Sequence, residues 1–218
     1  MPFILHSVLL AAVASASVAV AEVFKVTPHE QYSSSIGVLG CKIDTNRVAY
    51  FPTAVGCNNI CIKVSREGRS LNLLRIDQSQ GAHDISYDAW NFLMTGSSAK
   101  DKPTTGGGED MTVDEVAPEQ CASLIKTPGN KLPLSASNSM NYLTSCLAQA
   151  SSFVAKNHVL INIQDPQCHF GHDEVCELPP PEVSNQAKCP SVLGTANGRL
   201  PDTVFNIQVG TGKSVAAA

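Results

Sequence analysis

No run of lysine or arginine occurs in this 218-residue chain, whose formal net charge is −4 and pI about 5.8. It therefore lacks the basic footprint that draws a protein to nucleic acid. There is no Asn-x-Ser/Thr triplet, so N-linked glycans are not expected. Beyond residue 21 no stretch approaches the roughly 20 apolar residues of a membrane span, and Ser214–Ala218 is too short for a lipid-anchor signal. The triple glycine Gly106-Gly107-Gly108 lacks the preceding strand and following Lys-Ser/Thr of a phosphate cradle, which leaves a surface loop over residues 97–110. No cofactor and no membrane or nucleic-acid partner is expected, and nothing suggests more than a monomer.

What is present begins with an export signal. Phe3–Val20 is apolar and small, free of lysine and arginine, and closes on Ala19-Val20-Ala21, a small-x-small pattern that places cleavage before Glu22. The eight cysteines all follow it, an even number suited to disulfides in an oxidising, extracellular setting.

Apolar alternation predicts short strands over Ile36–Ile43, Arg47–Phe51, Ile60–Val64 and Ser70–Ile76, the last two forming a hairpin around Glu67-Gly68. Residues 27–35 read as a polar lead-in. Ser86 stands as the N-cap of a helix that Gly96 stops, with the single tryptophan, Trp90, on its apolar side as a core residue. Another short strand spans Met111–Val116. Past residue 127 the steps between Met140, Leu143, Leu147, Ala150 and Val154 predict one amphipathic helix of about four turns, capped by Ser137 or Ser139. A strand over Val159–Gln164, a Pro/Cys/His-rich loop from Cys168 to Pro190 and a last strand over Thr203–Val209 follow.

The most informative segment is Cys57–Asn91, where Asp77 ends an apolar strand and Asp84 precedes a helix. Cys57, Cys61, the Lys63–Gly68 hairpin, Leu71–Asp77, Ile85-Ser86, Ala89, Asn91 and Val113 through Cys121 together resemble the small secreted fungal cerato-platanins, in the same order over roughly residues 32–125. That resemblance implies a mainly β fold, a six-stranded double-psi β-barrel of the barwin type, over residues 22–127. Residues 128–218 would then be a Cys-rich extension packed on it. It implies the pairs Cys41–Cys57 and Cys61–Cys121, leaving Cys146, Cys168, Cys176 and Cys189 with three possible pairings. Two features depart from the family: three residues rather than two separate Cys57 and Cys61, and His83-Asp84-Ile85-Ser86 is similar instead to expansins and loosenins. The extension lacks the aromatic-rich composition of an expansin carbohydrate module.

The implied function is non-hydrolytic binding of cell-wall glycan of chitin, glucan or cellulose type. The groove would be lined by Asp77, Asp84, Ser86 and His83, with Tyr32 and Tyr50 as stacking surfaces. Recognition by a plant host as an elicitor is a further implication. Glycoside hydrolysis needs two carboxyl groups flanking the bond at roughly 5–9 Å; Asp77 and Asp84 could meet this, but the second acid in barrel enzymes comes from another strand, where Asp44 is the nearby choice. An enzyme on the same scaffold and a protein-binding effector or inhibitor are the alternatives, the latter requiring an exposed apolar patch on the extension. Cys168-His169-x-x-His172-x-x-x-Cys176 has zinc-like spacing, yet an oxidising compartment sends such sulfurs to disulfides, so no metal is expected.

Overall fold

The computed structural model describes residues 22–180, 182–196 and 198–218; the export signal expected over residues 1–21 lies outside them. Six strands close into a barrel: β1 (Glu22–His29), β2 (Val48–Phe51), β3 (Cys61–Arg66), β4 (Arg69–Gln78), β5 (His83–Ser86) and β6 (Glu109–Glu115), in the spatial order β1-β5-β2-β4-β3-β6. Pairs β1/β5 and β2/β4 are parallel and the other four antiparallel. Exchanging the first three strands with the last three reproduces every pairing, so the barrel carries an internal two-fold pattern.

Local chemistry accounts for the pieces. β3 and β4 pair from Cys61↔Leu74 to Arg66↔Arg69, leaving Glu67 (φ 48°) and Gly68 (φ 78°) as a two-residue turn of the kind that matches strand twist. The helix α1 (Tyr87–Thr95) ends at Gly96 in the left-handed region, whose N–H donates to the Phe92 carbonyl. It is anchored by Asp88, which accepts from Arg47 Nη1 at 2.7 Å, Ser98 Oγ at 2.8 Å and the Ala99 N–H at 2.7 Å. Burial would raise the Asp88 pKa, but these donors hold it below the usual carboxylate range.

Alternate residues of β4 serve two different cores. Leu73 faces inward with Val26, Ile62, Val64, Ile85 and Met111, and α1 plugs this bore with Trp90 and Leu93. Leu74 and Ile76 face outward, yet they are fully buried. They join Val48 and Tyr50 in a second core completed by the C-terminal half, including Leu132, Leu134, Leu143, Val154, Leu160 and Val204. That half contributes a three-stranded sheet, β7 (Leu132–Ser135), β8 (His158–Ile163) and β9 (Gly171–Cys176), with α2 (Asn141–Leu147) and α3 (Phe153–Lys156) between β7 and β8. A hairpin of β10 (Phe205–Ile207) and β11 (Ser214–Ala216) ends the chain.

Several expectations change. The first barrel strand is β1, not Ile36–Ile43: the latter forms isolated bridges at Val38 and Ile43 and a 3₁₀ turn over Gly40–Lys42. The single long helix is two short ones, because Ser152 Oγ accepts the Ala155 N–H and also bonds the Cys146 carbonyl, ending one helix and capping the next. The loop expected from Cys168 contains β9.

The disulfides are Cys41–Cys168, Cys57–Cys146, Cys61–Cys121 and Cys176–Cys189. Cys61–Cys121 agrees with the implied pairing, but Cys41–Cys57 does not form. Cys57 faces the outer core beside Cys146, and Cys41 sits on a turn whose Gly40 N–H bonds the Pro166 carbonyl next to Cys168. The C-terminal half supplies both partners.

On a free-standing barrel an outward leucine would be nearly neutral to truncation. Here Leu74→Ala is expected to cost about 2–5 kcal/mol, as for a core leucine, measured by urea unfolding with the disulfides intact. A loss within about 0.5 kcal/mol, typical of surface sites, would contradict the shared core.

Candidate functional site

Strand register brings four polar residues into one row across the outside of the barrel. Tyr50 pairs with Asp77 on β4 and with Asp84 on β5, and Asp84 pairs in turn with Thr27 on β1. The register of β2 against β4 skips Ile76 between the Ala49↔Arg75 and Tyr50↔Asp77 pairs. This irregularity places Asp77 on the same face as Tyr50. The carboxylates thus stand on either side of a tyrosine, two strand spacings or about 10 Å apart at the backbone.

Each member has internal partners. Asp77 accepts from Ser33 Oγ at 2.6 Å and from the Gln78 N–H at 2.8 Å, and Asp84 accepts from Thr27 Oγ1. The His29 ring leans on Tyr50 at 4.6 Å between centroids. Tyr32 donates its hydroxyl to the Val38 carbonyl at 2.8 Å. Burial, reinforced by Tyr50 and Asp77, raises the Tyr32 pKa well above the phenol range; burial also raises that of Tyr50, with Asp77 and Asp84 adding to the effect against a hydrogen bond from the Ser33 backbone.

The row is roofed by the end of the chain. Asn206 accepts the Tyr32 N–H at 3.0 Å, the Val209 N–H reaches Glu30, and the Gly210 N–H reaches the Tyr87 hydroxyl. At Gly40 a Cβ would lie 2.5 Å from Val204 and 2.8 Å from the Tyr32 ring, so only glycine lets these segments meet. Tyr32 and Tyr50 are 4% exposed, Asp77 9% and Ser86 6%. The cavity among Tyr32, Tyr50, Ser86 and Phe205–Ile207 is about 20 Å³, room for one water but not for a sugar. Ser86 occupies the N-cap position of α1 without capping it, and its buried hydroxyl has no partner.

His83 goes elsewhere. Neighbours on a strand point to opposite faces, so Asp84 joins the outer row while His83 turns into the bore, stacked on Phe24 at 4.0 Å and edge-on to Phe51 at 4.8 Å. Burial and then Arg75 lower its pKa, against the opposing pull of Asp84 and Glu22. Trp90 is fully buried, donating to the Val26 carbonyl at 3.2 Å. Gly106 passes so close to its indole that a Cβ would sit 2.4 Å away, a packing role for the triple glycine. Asp44 accepts the Asn46 N–H within its own turn. Both sulfurs of the zinc-like segment are in disulfides, and His169 bonds the Ala217 carbonyl at 2.9 Å, fastening the end of the chain. Among the described residues no helix is long and apolar enough to cross a membrane.

No protein-family model, curated protein or solved structure matches this chain. Thr27 and Ser33, which hold the two carboxylates, carry little signal in the sequence beyond the apolar-polar alternation of Phe24-Lys25-Val26-Thr27.

Tyr32 and Tyr50 keep their protons in the folded state while an unfolded tyrosine ionises near pH 10. Folding stability is thus full below that pH and falls as pH rises through it. Phenolate absorbance during alkaline titration is expected to show these two tyrosines ionising only together with unfolding, and Tyr50→Phe to remove its share of that step. Reversible ionisation of both near pH 10 in the folded protein would contradict the burial of the row.

Proposed function

We propose that this chain is a secreted, non-hydrolytic cell-wall glycan-binding protein built on a double-psi β-barrel. Two features of the barrel support that topology: parallel contacts between β1 and β5 and between β2 and β4, and a pairing pattern that repeats after three strands. Four disulfides fit a chain that matures in an oxidising compartment. The observation that carries the reading is the row of Asp84, Tyr50 and Asp77. Glycan hydroxyls meet it at its half-buried end, Asp84 with Thr27 and His29, while buried Tyr50 and Asp77 hold that end in place.

Cleavage would need an acid and a base facing a bound sugar, with space for water. Here Asp77 is committed to Ser33 and Gln78, and the cavity beside Tyr32 and Tyr50 is about 20 Å³. Binding without hydrolysis is the chemistry this arrangement favours, and an elicitor role would follow from the same exposure to a plant host.

The test is retention of the oxidised protein on insoluble chitin, cellulose and β-glucan, with reducing sugar measured in the supernatant. Retention on at least one, weakened about two- to fivefold by Asp84→Asn as for an exposed polar contact, with no sugar released, is the expected result. Sugar release would make the protein an enzyme. Absence of retention on all three would shift the reading to a protein partner.

A further inference from the structure

The bore of the barrel is sealed at one end by Trp90 and Leu93 but open at the other. Its open mouth is formed by inward-facing residues one step beyond the packed plug: Phe24 from β1, Phe51 from β2, Arg75 from β4 and His83 from β5. They surround a cavity of about 320 Å³, the lower end of the size range of small-molecule sites, ~300–1,000 Å³. Phe24 and His83 lie nearly parallel and Phe51 meets His83 edge-on, which gives one flank a continuous aromatic surface.

Arg75 supplies the unusual feature. Its side chain is only 3% exposed. Nη2 donates to the carbonyl and hydroxyl of Thr53 at 3.0 and 2.6 Å, and the guanidinium carbon stands 5.5 Å above the Phe51 ring. Nη1 is 3.6 Å from Glu115, a largely exposed carboxylate, and buried Nε has no partner. A buried guanidinium donor left open is costly, and burial lowers the Arg75 pKa accordingly. Nη1, which meets cavity-lining Glu115 only at 3.6 Å, is the donor that a ligand in the cavity can reach.

The chemistry of the rim narrows the ligand. Glu22, Asp114 and Glu115 surround the mouth, so carboxylates outnumber the single arginine and an anionic ligand is repelled. An aromatic wall with donors on one side and acceptors on the other suits a pyranose ring, whose C–H face stacks while its hydroxyls both give and accept. The excess of carboxylates favours a ring that also carries an ammonium group.

We propose that the barrel mouth is a second binding site, taking a single terminal pyranose ring and preferring an amino sugar. The ring packs on Phe24, Phe51 and His83, one of its hydroxyl oxygens accepts from Arg75 Nη1, and its ammonium faces Glu115. This inference rests on the bore and is independent of the Asp84 row.

The experiment is calorimetric titration of the purified, oxidised protein with three soluble probes: the glucosamine trimer, cellotriose and the galacturonic acid trimer. Expected is the affinity order in which they are named, with the first advantage shrinking as salt is raised. Arg75→Met is expected to fold, since an apolar chain of similar length removes a desolvated charge, and to weaken both bound trimers about tenfold or more. Exposed Glu115→Gln carries little risk to folding; it should reduce glucosamine-trimer affinity about two- to fivefold and leave cellotriose unchanged. In an Asp84→Asn background the loss caused by Arg75→Met should persist, which separates this site from the Asp84 row. Absence of binding by all three probes, tightest binding of the galacturonic acid trimer, or unchanged affinity in folded Arg75→Met would overturn the proposal.

Discussion

Two strands of the barrel are apolar on both faces, and most of the architecture answers that constraint. Every residue of β2 is buried, and β4 is buried from Leu73 to Asp77. A closed barrel can hide only one face of a strand in its bore. The outer face, with Val48, Tyr50, Leu74 and Ile76, must be covered by something else, and the β7-β8-β9 sheet with its two short helices does so. The hydrophobic effect acts on that face as strongly as on the bore. The C-terminal half is therefore part of the fold of the barrel, and the burial of Tyr50 and Asp77 follows from the same packing.

The buried ionisable groups fall into two kinds. Asp88 and Asp77 each receive internal donors, Asp88 three of them and Asp77 a hydroxyl and a backbone N–H. Such satisfied groups fix a scaffold, here the start of α1 and the junction of β4 with the segment after β1. Arg75 differs, since one donor is open and its acidic neighbour is mostly in solvent. It faces the one end of the bore that apolar residues do not fill.

Features set by short-range chemistry could be read from the sequence. Glu67-Gly68 declares its hairpin, Gly96 its helix end, and the burial of Trp90 follows from helical spacing. Pairing that depends on distant partners could not be read so directly. β1 and β5 are strands because each lies parallel to the other across a crossover, a contact between residues 57 apart along the chain, as at Thr27 and Asp84. His83 and Asp84 look like a single motif in sequence, yet a strand sends them to different faces, a separation visible only once β5 is known to be a strand. Asp77 lies beside Tyr50 through a register irregularity that no local pattern announces. The implied Cys41–Cys57 pair failed for a related reason: it treats residues 22–127 as self-contained, whereas both cysteines face the C-terminal half.

Three disulfides are nested, with Cys61–Cys121 inside Cys57–Cys146 and both inside Cys41–Cys168. Loop-closure entropy grows with the chain to be closed, so sealing the innermost bond first leaves only the short stretches 57–61 and 121–146 to be brought together for the next. The partners Cys121, Cys146 and Cys168 also leave a ribosome in that inside-out order. Nesting therefore gives oxidative maturation a direction: the innermost bond can close first, and each later bond ties more of the C-terminal half to chain already cross-linked.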